Sequence, residues 1–317
     1  MLPFRIIYHE GYDLNFGAHV FPSQKYRLIR ERLLKTAFAV ESDFEEPEAA
    51  GDEELLLVHE PGWLRRLNTG TLTYEEVLRL EAPYSRQMVR AYFLSAGGSI
   101  LAARRALRDG VAINCGGGFH HAFPGHGEGF CAINDIAVAI RTLQKDGSIT
   151  RALVVDCDVH QGNGTASIFA RDESVLTLSI HQLNNYPAVK PPSTVDIDLA
   201  DGVGDEEYLD RLRASYLTLI GGFQPQLVMY VAGADPYGQD QLGGLNLTIE
   251  GLRARDHLVI ETALQHRAAV AVTLAGGYAW DISDTITIHA NTIQAARDVL
   301  KEMRRPGACP GGSSHPE

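Results

Sequence analysis

A chain of 317 residues with 45% hydrophobic and 21% charged side chains has the balance of a folded globular protein, long enough for one large α/β domain or two ordinary ones. Its net charge of −12, from 28 basic and 40 acidic residues, argues against a nucleic-acid surface, which needs clustered lysine and arginine. No apolar stretch reaches the roughly 18 residues of a membrane-spanning helix, and the opening "MLPFRIIYHEGYD" has too short an apolar run and the wrong flanks for a signal peptide.

In chain order, "FRIIYH" reads as a first strand and "PSQKYRLIRERLLKTAF" as an amphipathic helix. The long helical pattern "SRQMVRAYFLSAGGSILAARRAL" runs into the strand "VAINC", and "NDIAVAIRTLQKDG" is the next helix. "RALVVDCD" and "VLTLSIH" are strands, "DEEYLDRLRASYLTLIGGF" a helix, and "LVMYVAGAD" a strand. The helix "TIEGLRARDHLVIETALQHR", the strand "AVAVTLAGGY" and the helix "ISDTITIHANTIQAARDVLKEM" complete the pattern. Most strands are apolar without alternation, as when both faces are buried, so the alternation predicts an α/β fold with a mostly parallel sheet between two helical layers. One domain is expected over residues 1–303, with 304–317 a disordered tail. The cysteines Cys115, Cys131, Cys157 and Cys309 form no C-x-x-C pair, which disfavours a zinc knuckle and fits a reduced cytoplasmic protein.

Ligands of open parallel sheets gather at the carboxyl ends of the strands, and four predicted strands end in chemically capable residues. "VAINC" leads into "GGGFHHAFPGHGEGFC", with three histidines in seven positions among six glycines. His120 and His121 there suit metal binding or proton transfer, whereas His126 reads as a surface loop residue. "DCDVH" offers Asp156, Asp158 and His160 in alternation, on one side if the segment stays extended, a donor set that suits zinc. The competing reading is a helix cap, with Asp158 capping a helix that begins near Gly164. Asp235 of "AGAD" supplies a third ligand, making a site open to water, and Tyr278 of "AGGY" a hydroxyl able to meet a developing oxyanion.

Together these residues resemble the histone deacetylase family, zinc-dependent enzymes that hydrolyse acyl-lysine and related amides. The matching pieces, in the family's order, are "GGGFHHA", "GFCAINDIAVAI", "DCDVHQGNG", "LSIH", "AGADP", "DQLGGL" and "AGGYA", covering Phe4 to Met303. "INCGGGFHH", "QGNG", "NNYPA" and "DQLGGLNLT" are most similar to class IV, some members of which favour long fatty acyl chains. The resemblance implies one zinc ion on Asp158, His160 and Asp235, with His121 as general base and acid and His120 as its electrostatic neighbour. Asp156 and Asn163 match the partners of His120 and His121, and Tyr278 the catalytic tyrosine. Phe130, Tyr186 and Leu242 match the walls of the acyl-lysine tunnel, with Gly129 and Gly277 as backbone contributors. Asp156 and Ser179 match side chains of a buried potassium site.

The implied substrate is an acyl-lysine protein or peptide. A small acylated amine such as an acetylated polyamine fits the same site, and a non-catalytic acyl-binding module would keep the fold. An arginase-like two-metal enzyme needs further carboxylates that the sequence does not show. Phe123, Pro124 and Gly125, with Gly127 and Gly129, are expected to border a cavity open to long acyl chains.

Overall fold

A computed structural model describes residues 1–304. The predicted tail lies, from residue 305 onward and including Cys309, outside the described residues. The chain runs β1 (Ile6–Ile7), α1 (Lys25–Lys35), β2 (Phe44–Glu45), α2 (Asp52–Leu55), α3 (Pro61–Thr69), α4 (Tyr74–Leu80), α5 (Arg86–Asp109) and β3 (Val111–Asn114). It continues through α6 (Asp135–Lys145), β4 (Ala152–Asp156), α7 (Asn163–Phe169), β5 (Val175–Gln182), β6 (Val195–Leu199), α8 (Asp205–Phe223), β7 (Leu227–Val231), α9 (Ile249–Gln265), β8 (Ala269–Thr273) and α10 (Ile282–Met303). Eight strands make one sheet, ordered β2-β1-β3-β8-β7-β4-β5-β6, and every pairing is parallel.

The apolar strands serve two cores. Val154 of β4, Met229 of β7 and Ala271 of β8 pack with α5 and α6, through Ala103, Ile136 and Ile140. Their neighbours Val155, Tyr230 and Val272 face the opposite way, among Tyr216 of α8, Val259 of α9 and Ile293 of α10. Successive side chains point to opposite faces, so strands covered on both sides must be apolar at every position. The one strongly alternating strand, β6, lies at the sheet edge, with Asp196 and Asp198 exposed and Ile197 buried.

Local signals set the helix ends. Ser85 accepts the Met88 amide at 3.0 Å to start α5, and Asn134 accepts that of Ala137 at 2.9 Å to start α6. With all strands parallel, the segments after β3, β4, β7 and β8 emerge at one end of the sheet.

Candidate active site

β4 stops at Asp156, and the backbone beyond it turns rather than staying extended. Asp156, Asp158 and His160 therefore converge through hydrogen-bonded turns, not through the alternation of a strand. The Asp158 amide donates to Asp156 Oδ1 at 3.1 Å, and the His160 amide to Asp158 Oδ1 at 3.0 Å. Asp158 caps no helix: α7 begins after Gly162, without a side-chain cap. Asp235 arrives from the end of β7, its Oδ1 accepting the Val159 amide at 2.9 Å. The ligating atoms of Asp158, His160 and Asp235 lie within 4.8 Å of one another, and all three residues are buried.

This trio fits a zinc ion. Asp235 Oδ2 is buried without a hydrogen-bond donor; its nearest ring nitrogen, His160 Nδ1, stands 3.5 Å away, beyond ordinary hydrogen-bond length. A buried carboxylate oxygen left bare is costly, and a divalent cation held by two carboxylates and an imidazole satisfies it. Burial, then the neighbouring Asp158, push the Asp235 carboxyl up, as expected of paired carboxylates competing for a positive partner. Gly276 lets the backbone close on them: its amide donates to Asp158 Oδ2 at 2.9 Å, and a side chain there would run into both carboxylates.

The adjacent histidines are driven apart electrostatically. Their rings lie 4.0 Å apart. His120 Nδ1 meets Asp156 Oδ2 at 2.7 Å; burial opposes its charge, but Asp156 and then Asp158 outweigh that and raise its pKa to about 9. His121 Nδ1 meets Asn163 Oδ1 at 2.7 Å. Burial first, then the charges of His120 and His160, hold the His121 pKa well below the ordinary imidazole range. The two imidazoles are thus pushed in opposite directions, the division that acid–base work uses.

A pocket of about 160 Å³ opens onto these groups, lined by His121, Gly129, Phe130, His160, Tyr186, Leu242 and Tyr278, with Glu81 and Asn185. The Tyr186 ring stands edge-on to His121 at 4.9 Å, and Tyr278 packs 6.4 Å from His160 and 6.2 Å from Phe130. Burial, then Asp158 and Asp235, hold the Tyr278 hydroxyl protonated, far above its ordinary pKa. Phe130 has φ of 65°, an uncommon conformation for a bulky residue and the kind of strain found at functional sites. The Phe130 amide donates to Leu80 O at 2.9 Å, fastening this wall to the end of α4.

Gly277 lies outside the lining: with φ of 149° it forms the turn before Tyr278, beside Ala234 and Thr285. Ser179 stands opposite Asp156 across β4 and β5, its hydroxyl 2.9 Å from His181 Nδ1. The expected cavity border is corrected. Phe123 O meets His59 Nδ1 at 3.1 Å, Pro124 O accepts the Glu60 amide at 2.8 Å, and Gly125 packs on the Glu60 carboxylate, so this stretch braces the loop and only Gly129 and Phe130 reach the pocket. His126 is no free surface residue either, being stacked on Phe123 at 4.6 Å and 3.0 Å from Glu128 Oε1.

Four site residues escaped the sequence reading. Glu81 belongs to no motif, and Asn185 lies within "NNYPA" beside the Tyr186 that was singled out there. Asp240 positions the site, accepting the Tyr278 amide at 2.7 Å and the Leu242 amide at 2.8 Å; its place in "DQLGG" was the available signal. Lys25, wholly buried at the start of α1, bonds to Ala275 O behind the carboxylates, and burial brings its pKa down to about 8 against their attraction.

Fold and site together define a hydrolase. A histone deacetylase domain profile matches residues 19–293, and the chain belongs to that family. It is 41% identical over 297 residues to an uncharacterised protein of Picosynechococcus sp., covering 93% of this chain and 99% of that one. It is 32% identical to histone deacetylase 2 of Arabidopsis thaliana, over 86% of this chain and 74% of the relative. The crystal structure of the HDA15 HD domain superposes with a TM-score of 0.79, covering 94% of each chain at 24% identity, which establishes the shared fold.

Proposed function

We propose that this protein is a zinc-dependent deacylase of class IV type that hydrolyses the side-chain amide of acyl-lysine in proteins or peptides. The observation that carries the reading is the Asp158–His160–Asp235 cluster at a narrow pocket that also presents His121 and Tyr278. A zinc ion, one per chain, would be held by these three residues and supplies Lewis acidity toward the amide carbonyl and the attacking water. Phe130, Tyr186 and Leu242 sheathe the lysine stem and keep bulk water out. His121, neutral and with Nδ1 engaged by Asn163, takes the proton of the water on its Nε2 and returns it to the departing amine. His120, held cationic by Asp156, keeps positive charge beside the site, and the Tyr278 hydroxyl donates to the oxygen on which negative charge develops. A potassium ion at Asp156 and Ser179 belongs to the same reading, and the free thiols of buried Cys115, Cys131 and Cys157 support a cytoplasmic setting.

The pocket of about 160 Å³ has to take the lysine stem as well as the acyl group, which favours a short acyl group. The long-chain reading now rests on the class IV likeness alone. A series of lysine peptides carrying acetyl to myristoyl groups tests both points. Hydrolysis with kcat/KM falling as the chain lengthens is expected; the reverse order would restore the long-chain reading, and no hydrolysis of any peptide by zinc-loaded protein would overturn the function. A second reading, hydrolysis of a small acylated polyamine, is favoured by the Glu81 carboxyl on the pocket lining, which attracts a cationic amine. Acetylated polyamines in the same series, outperforming the peptides, would select it.

A further inference from the structure

Glu128 lies outside the pocket lining, yet it is hydrogen-bonded to the residue that supports the base. Its Oε2 accepts from Asn163 Nδ2 at 2.9 Å, and Asn163 presents its other end, Oδ1, to His121 Nδ1 at 2.7 Å. An amide has one donor end and one acceptor end, so which end faces the histidine decides where the imidazole proton sits. Two contacts set the Asn163 amide independently of His121. An ionised carboxylate only accepts, so Nδ2 must face Glu128, and the Gly164 amide donates to Oδ1 at 3.0 Å. Oδ1 facing Nδ1 requires the proton on Nδ1 and leaves Nε2 as the free acceptor.

We propose that Glu128 is a positioning residue for the base: by fixing the Asn163 amide it selects the His121 tautomer that can accept a proton at Nε2. Glu128 is itself held. Its Oε1 stands 3.0 Å from His126 Nε2, His126 is stacked on Phe123, and the Tyr186 hydroxyl reaches Oε2 at 3.4 Å. This gives His126 and the glycine-spaced loop a role that the zinc cluster leaves unassigned: they carry Glu128 to Asn163. The inference deepens the deacylase reading and rests on it for its kinetic consequence, though not for the tautomer.

The test uses the full chain with ¹⁵N-labelled histidine. In metal-free wild type, His121 should show the Nδ1-protonated tautomer; in Glu128→Ala the signal should move toward a mixture with the Nε2-protonated form. In the zinc-loaded protein Glu128→Ala should lower kcat by about 10-fold, toward the lower end of what losing a direct partner of a site histidine costs, with KM changed less than about threefold. Glu128→Gln, which keeps one acceptor oxygen but replaces the other with a donor, should give a tautomer mixture and a kcat between those of wild type and Glu128→Ala. If Glu128→Ala does not fold, Glu128→Met, of similar length without a carboxylate, takes its place. An unchanged tautomer in the acceptor-free variant, a loss confined to KM, or a Glu128→Gln variant with the wild-type tautomer and kcat would each overturn the proposal. Should wild type hydrolyse no acyl-lysine, the deacylase reading fails while the tautomer measurement still decides the role of Glu128.

Discussion

His120 and Asp156 form a buried pair, with Nδ1 and Oδ2 2.7 Å apart and both side chains 4% exposed. The carboxylate supplies what burial withholds, so Asp156→Asn should remove the charge of His120 near neutral pH. The asparagine Oδ1 can still accept the Asp158 amide, so the zinc ligands should stay in place. Expected are a kcat lower by about 10-fold to 100-fold and an unchanged zinc content by mass spectrometry. A variant with wild-type kcat would remove the His120 charge from the mechanism.

Tyr278→Phe deletes one hydroxyl and leaves the tie between the residue-278 amide and Asp240 untouched. Loss of one oxyanion donor costs about 10²–10³ in kcat. Metal content and melting temperature should match wild type, and an undiminished kcat would exclude the tyrosine from catalysis.

Asp235→Ala removes a ligand and also the acceptor of the Val159 amide. Zinc should be lost on dialysis under conditions in which wild type keeps one ion per chain, with activity lost alongside. Full zinc retention would show that the ligand set is wrong.

His59 offers a pH test outside the site. Its Nδ1 meets Phe123 O at 3.1 Å and its Nε2 accepts the Asn134 amide at 3.0 Å, an arrangement only the neutral ring can make. Burial lowers its pKa from 6.5 to about 4, against the two backbone carbonyls. The folded value lies below the unfolded one, so the contribution is complete above pH 6.5 and is lost as pH falls toward 4, up to roughly 3 kcal/mol. The melting temperature of wild type should fall more steeply across this window than that of His59→Gln; parallel profiles would refute the assignment.

The six predicted strands and six predicted helices were legible because each is long enough to show its hydrophobic period or its burial on both faces. β6, absent from the predicted strands, carries in "VDIDL" the alternation of a strand covered on one face only, as its edge position requires. Among α2, α3 and α4, helices of 4, 9 and 7 residues, the Thr73–Glu76 capping box was a usable signal. His120, His121, Asp158, His160, Asp235 and Tyr278, which the structure brings together, were legible as chemically capable residues at strand ends. Glu81 was not, since a residue that only borders a pocket carries no pattern, and Asn185 lay inside "NNYPA" without chemistry of its own to single it out. The role of Phe123–Gly125 was misread because apolar residues next to a site in sequence need not face it in space.

The parallel sheet makes the molecule one-ended. At the opposite end Gln226 joins the starts of β4, β7 and β8: its side chain accepts from Thr150 and Arg151 amides at 2.7 and 2.9 Å, and its backbone bonds to Arg151 O and the Ala269 amide at 3.0 Å each. Nothing there touches the pocket. The same asymmetry makes the Gly147–Arg151 side the natural place for a tether or a fused domain, since a protein immobilised there would still turn its pocket to the solution.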